Sequence, residues 1–270
     1  MAATTAEHGD DESTELRYDL ADGIARLTID RPEKRNALSW TVLADLRRRV
    51  AQIKTDPEAR VLVLTGAGEK AFCAGADLTG MAAGAGHLDL HDSRGDLAGL
   101  FAELWDLGKP TIARVRGYAL AGGMGLALAC DLVVAADDAV FATPEIDVGL
   151  WPYMITVPLV RSMPPKVALE LMMTGRRLSA VEALRIGFVN RVVSVDQLDA
   201  AVDELAATLA AKSPAVLRLG RQAFYDVWDQ SAGDALPLLQ AMLSVATGLD
   251  DAAEGLAAFA QKRPPNWTGR

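Results

Sequence analysis

Cysteine is nearly absent: Cys73 and Cys130 are the only two in 270 residues. They form no disulfide framework and sit in no metal-ligand spacing, which fits a reducing cytoplasm. Basic charge is also scarce, with 27 Lys and Arg against 36 Asp and Glu and a formal charge of −9. That balance argues against nucleic acid as the main partner, because phosphate backbones select basic surfaces. It leaves room for a small anionic ligand held by local backbone groups. No apolar run approaches the ~20 residues that span a bilayer. The first residues, MAATTAEHGDDESTEL, lack the basic and apolar regions of a secretory signal. Residues 1–14 read as a disordered acidic tail. No internal repeat and no Pro- or Ser-rich linker divides the rest. Half the residues are apolar, ample for a buried core in one domain.

Leu16–Leu20 and Ile24–Ile29 alternate apolar and polar residues around Ala21-Asp22-Gly23, the pattern of a β-hairpin. Leu43, Leu46, Val50 and Ile53 follow at the period of one buried helical face. Val61–Leu64, Thr111–Val115 and Leu132–Ala135 are short apolar runs, as expected of strands buried on both faces. Strands alternating with helices to about residue 150 point to an α/β fold. Gly80–Gly99 has weak periodicity and reads as a mobile loop, with a helix emerging near Leu97. From Lys166 the pattern is helical almost throughout. Ser179-Ala180-Val181-Glu182 is a capping box closed by Gly187, Ser213-Pro214 opens another helix, and a last one runs from Asp250 to about Arg263. The organisation expected is a core over 15–195 and a helical subdomain over 196–270.

Two glycine-rich segments each follow a strand: Lys70–Leu78 (KAFCAGADL) and Gly117–Leu126 (GYALAGGMGL). Small residues at a strand-to-helix turn let a ligand approach the backbone, where the first helical N–H groups are free donors. Two donors converging on one oxygen would form an oxyanion hole. Either segment alone is equally compatible with a tight, closely packed turn. Neither has the spacing of a dinucleotide site.

Taken together, and with RPEKRNALS at 31–39, IARVRGYALAGGMGLALACDL at 112–132, FATPEIDVGL at 141–150, TGRRLSAVEALRIGFVNRVV at 174–193 and AFAQKRPPNW at 258–267, they make the chain resemble the enoyl-CoA hydratase/isomerase (crotonase) superfamily. The blocks run in family order over nearly the whole chain beyond the tail. The resemblance implies a spiral of ββα turns followed by a helical region that builds trimers or hexamers. It implies an acyl-CoA thioester as substrate, with no metal and no separate cofactor. The thioester oxygen would lie between the N–H groups of Ala76 and Gly122. Ala74, Asp77, Leu78, Gly125 and Trp151 would line the substrate site, with Asp77 as a turn-fixing residue. Lys34, Arg35 and Ala37 would meet coenzyme A, together with Phe259 and Lys262, in some relatives from a neighbouring subunit.

Family hydratases hold the added water between two glutamates. The second matches Glu145, whereas Gly125 stands where the first is expected. One carboxylate suffices to move a proton from C2 to C4 of a 3-enoyl-CoA, so isomerisation is the preferred reaction and hydration the runner-up. Bulky residues at Trp151-Pro152-Tyr153-Met154 replace a glycine-rich stretch and either reshape the acyl pocket or pack in the core. Asp147 reads as solvated or capping. His87 and His91 fall in the variable segment, where solvent exposure is the default for a histidine. A non-catalytic acyl-CoA-binding homologue would bind the thioester without turnover. RNA binding, known for some relatives, is disfavoured by the −9 charge.

Overall fold

The computed structural model describes residues 15–77 and 87–270; Leu78 lies outside them. The chain opens with an antiparallel hairpin of β1 (Leu16–Ala21) and β2 (Ile24–Ile29). Asp22 and Gly23 between them have φ of 52° and 77°. Two positive-φ residues match the right-handed twist of the flanking strands. Ser39 then caps α1 (Trp40–Thr55) by accepting the Val42 N–H, and the helix buries Val42, Leu43, Leu46, Val50 and Ile53.

The strands that follow divide between two sheets. β3 (Val61–Gly66), β5 (Thr111–Val115) and β7 (Leu132–Ala136) run parallel in a six-stranded sheet ordered β1-β2-β3-β5-β7-β10. The strand after each one turns into a four-stranded sheet ordered β4-β6-β8-β9. These are β4 (Ala71–Cys73), β6 (Tyr118–Leu120) and β8 (Val140–Ala142). Helical segments follow the pairs: α2 (His87–Trp105), α3 (Gly122–Ala129), then a 3-10 turn at Pro144–Val148 before α4 (Thr156–Ser162) and α5 (Pro165–Thr174). Each ββα turn therefore winds through both sheets. All six residues of β3 are buried, because core packs on one face and a later helix on the other.

Two departures from the sequence reading have physical causes. The helix expected near Leu97 begins at His87, and residues 80–86 of the expected loop lie outside the described residues. Its buried side chains, Leu97, Leu100, Phe101 and Leu104, cluster in the C-terminal half. Arg47 on α1 ties the helix down through Asp96 and Glu103, at 2.5 and 2.7 Å. Beyond Lys166, β9 (Leu178–Ser179) and β10 (Arg191–Val193) interrupt the helices. Strands of two and three residues are too short to show alternation.

Between them lies α6 (Ala180–Ile186), opened by the complete Ser179–Glu182 capping box. The C-terminal helices are α7 (Leu198–Ala210), α8 (Pro214–Val227), α9 (Ala232–Ala246) and α10 (Asp250–Gln261). Leu198, Val202 and Ala206 of α7 cover Val61, Val63, Ile112, Val134 and Ala136 on the large sheet. Arg221 of α8 clamps to Asp131, with Nε 2.8 Å from Oδ2, and donates to the carbonyls of Leu104 and Trp105. Among the described residues, no helix is long and apolar enough to cross a membrane.

Candidate active site

Three neighbouring strands of the small sheet aim their C-terminal ends at one place. β4, β6 and β8 are parallel, with Cys73 registered on Ala119 and Leu120 on Ala142. Past these ends come Ala76, Gly122 and Glu145. Ligands of parallel sheets gather at such carboxyl ends, where the departing loops converge. The Ala121 N–H donates to the Ala142 carbonyl at 2.9 Å, tying the start of α3 to the end of β8.

The two glycine-rich loops touch. Gly75 has φ 93°, and a Cβ there would lie 2.8 Å from the Ala121 Cβ and 3.2 Å from the Gly122 nitrogen. A Cβ on Gly122 would sit 4.0 Å from the Ala76 nitrogen. Gly123 is closer still, since its added Cβ would fall 2.1 Å from the Cys73 carbonyl oxygen. Glycine is required at Gly75 by its positive φ and the nearby Ala121 Cβ, and at Gly123 because the Cys73 backbone leaves no room for a Cβ. Ala121 turns the chain into α3 at φ 51° and ψ −128°, a strained conformation for a residue with a Cβ. The turn leaves the Gly122 N–H at the first position of a helix, outside the helical hydrogen-bond ladder. Residue 76 is bridged to Leu38 through its neighbours: Leu38 N–H donates to the Gly75 carbonyl and Asp77 N–H to the Leu38 carbonyl. Among the described residues, neither the Ala76 nor the Gly122 amide has a hydrogen-bond acceptor. Both donors are available to a ligand.

Glu145 lies in the 3-10 turn that follows β8. Its Oε2 is buried and has no hydrogen-bond partner among the described residues. Burial pushes its carboxyl above the ordinary glutamate range, partly offset by a backbone hydrogen bond. The sign of the linkage follows. The protonated form is favoured in the fold, so this group's stability contribution is full below the unfolded pKa and lost as pH rises through the higher folded value. As a base it acts only when ionised. The acid limb of kcat/KM should therefore lie above the pH at which an exposed glutamate titrates, and any residual rate of Glu145→Gln should lack that limb. A pH–rate profile of both proteins checks this.

The place beside Gly125 is filled. A Cβ on Gly125 would meet Ile155 Cγ2 at 2.3 Å, Ile155 Cβ at 2.8 Å and Phe101 Cζ at 3.0 Å. Gly125 therefore offers no side-chain surface of its own for substrate, and Ile155 and Phe101 take over that face. The bulky run named in the sequence divides: Trp151 packs against the core, while Tyr153 and Met154 are exposed. Ile155, one residue beyond that run, is the one placed against the helix. Its spacing carried no signal, because only the spiral brings residue 155 onto α3.

Asp77 ties its loop to the 31–38 turn, in keeping with the turn-fixing reading. It is buried, with Oδ2 2.9 Å from Arg31 Nη2 and 3.6 Å from Lys34 Nζ. Arg31 went unrecognised in the sequence because its partner lies 46 residues on. Lys34 remains half exposed and Arg35 exposed at φ 52°, at the turn facing the first loop. The Ala37 carbonyl accepts from Arg31 Nη1 at 2.6 Å, and Ala74 N–H donates to the Arg35 carbonyl at 3.0 Å. Phe259 stands 86% exposed on α10, and Lys262 ends that helix in the left-handed region. Among the described residues, nothing in this chain seats either one on the 34–38 turn. His91 is exposed on α2, and His87 opens that helix. Cys73 and Cys130 are buried, and desolvation pushes both thiols up to about 12, far from a reactive range. A cavity of about 680 Å³ lies elsewhere, between Leu128, Phe188, Arg221 and Trp228.

The enoyl-CoA hydratase/isomerase family model matches residues 19–270. The chain belongs to that family. It is similar to a carnitinyl-CoA dehydratase of Proteus mirabilis, at 38% identity over 263 residues, covering 96% of this chain and all of the relative. A solved structure of an enoyl-CoA hydratase from Mycobacterium smegmatis superposes with a TM-score of 0.91 at 34% identity, covering 94% of this chain and 99% of that one. An enoyl-CoA hydratase from Bacillus anthracis gives 0.91 at 33% identity, with 95% and 100% covered. The crotonase-type spiral expected from the sequence is thus the observed fold.

Proposed function

We propose that this family member isomerises 3-enoyl-CoA thioesters to their 2-enoyl forms, with Glu145 as its single proton-transfer group. The observation that carries the reading is the buried, unpartnered Oε2 of Glu145 at the sheet edge where two amides lack acceptors. The thioester oxygen takes the Ala76 and Gly122 N–H groups, which stabilise a developing enolate by roughly 3 kcal/mol per donor. Glu145 removes a proton from C2, and the electron pair spreads over the oxygen, C2 and C4. The proton then returns to C4, so the double bond moves and the carboxylate is regenerated. No water is consumed. The hydrocarbon of Ile155 and Phe101 against Gly125 supports this reading, because it occupies the side where a second carboxylate would hold water.

Hydration or dehydration is the second reading, favoured by what the relatives are named. It requires water ordered by one carboxylate, which forfeits part of the orientation that drives such additions. Coenzyme A is placed along the 34–38 turn, with Lys34 and Arg35 meeting its phosphates. Exposed Leu243, Leu256 and Phe259 on α9 and α10 support a homo-oligomer. 3-Hexenoyl-CoA deuterated at C2 tests the isomerase reading. Transfer by one sheltered carboxylate should carry a measurable fraction of the label to C4 in ordinary water. Unchanged 3-hexenoyl-CoA, with 2-hexenoyl-CoA converted to its 3-hydroxyacyl thioester in a parallel assay, would support hydration instead.

A further inference from the structure

A buried polar knot holds the segments on either side of Ala76, and Lys34 approaches its Asp77 carboxylate at 3.6 Å. Arg31 is its centre, with a side chain only 5% exposed. The guanidinium reaches three separate segments. Nε lies 2.8 Å from Glu15 Oε1 just before β1, Nη1 donates to the Ala37 carbonyl at 2.6 Å, and Nη2 donates to Asp77 Oδ2 at 2.9 Å. Asn36 completes the knot at 0% exposure. Its Oδ1 accepts the Arg31 N–H, and its Nδ2 donates to the carbonyls of Ala67 and Ala71. Arg35 and Asn36 both have positive φ, so this turn persists only because its surroundings hold it.

Ala76 is the residue without such ties. The turn grips the loop on each side of it, through Ala74 N–H, the Gly75 carbonyl, and both the N–H and carboxylate of Asp77. The direction of the Ala76 N–H is therefore fixed by its two neighbours. An oxyanion donor works only when aimed at the place where charge will develop. We propose that Arg31 and Asp77 are positioning residues whose buried ion pair aims the Ala76 N–H at the thioester oxygen. This rests on the oxyanion role given above to Ala76 and Gly122. The pair acts on the transition state more than on ground-state binding, because the loop still presents the same surface to coenzyme A when the aim is lost.

The test uses butyryl-CoA carrying carbon-13 at the thioester carbonyl, a saturated ligand that no Δ3–Δ2 shift can consume. Isotope-edited infrared spectra read the carbonyl band of the bound ligand in wild type, Asp77→Asn and Arg31→Met, beside kcat and KM for 3-hexenoyl-CoA. Wild type should lower the band. Both variants should return it at least about a third of the way toward the free ligand, with kcat down about tenfold and KM within about threefold. Asp77→Asn preserves size and one acceptor, so it carries the test if Arg31→Met does not fold. Asp77→Glu, which retains the charge, should recover part of the shift. A band and kcat unchanged in Asp77→Asn, with only thermal stability reduced, would overturn the positioning role alone. A wild-type band that is not lowered would overturn the oxyanion hole and this inference together.

Discussion

Glu145→Gln should abolish turnover while leaving the protein folded and able to bind acyl-CoA. The substituted amide keeps the shape of the side chain and cannot accept a proton at working pH. A positioned base contributes about a hundredfold to ten-thousandfold, and with Glu145 as the single proton-transfer group proposed the loss should lie near the upper end. Kd for a saturated acyl-CoA should move little, since the amide keeps the shape of the side chain it replaces. The variant should also be at least as stable as wild type at neutral pH. Burial raises the Glu145 pKa, so its ionised form opposes folding once pH exceeds the folded value. A catalytic loss joined to unchanged or higher Tm separates this role from a structural one. Stopped-flow or steady-state assays with thermal unfolding measure both. A Tm that falls by several degrees would mark Glu145 as a turn-stabilising residue instead.

Gly125→Glu should fail to create a hydratase by itself. The new Cβ would fall 2.3 Å from Ile155 Cγ2 and 2.8 Å from Ile155 Cβ, neither of which is the far end of a flexible chain. Overpacking of this kind costs about 1–3 kcal/mol, and the added carboxylate would also be desolvated against hydrocarbon. The single variant should be destabilised and inactive in hydration. Gly125→Glu with Ile155→Gly removes both atoms that clash and opens a polar path to Glu145. That double variant should gain crotonyl-CoA hydration of at least about tenfold over wild type, as a second carboxylate restores the orientation of water. Hydration appearing in the single variant would show that Ile155 yields easily and does not set the reaction.

How much of this was legible beforehand depended on whether the signal was local. The hairpin, α1, β3 and the Ser179–Glu182 box declared themselves because alternation, helical period and capping act within a few residues. The oxyanion loops were legible as glycine-rich turns. Gly123, for example, is needed because the Cys73 carbonyl oxygen would lie 2.1 Å from any Cβ. The rest depended on which segments the spiral brings together. Asp77 was legible as a turn-fixing residue, but its partner Arg31 was not, because it lies far back in sequence. Ile155 and Phe101 looked like ordinary apolar residues until the fold set both against Gly125. The start of α2 escaped because the sequence there carries only weak helical periodicity.

The central claim is that one carboxylate, with hydrocarbon in place of its partner, moves a proton and adds no water. Purified protein given 3-hexenoyl-CoA and, separately, crotonyl-CoA tests this most directly. Isomerisation should exceed hydration by at least about tenfold, and both should vanish in Glu145→Gln. Hydration of crotonyl-CoA as fast as isomerisation, or hydration that survives Glu145→Gln, would contradict it.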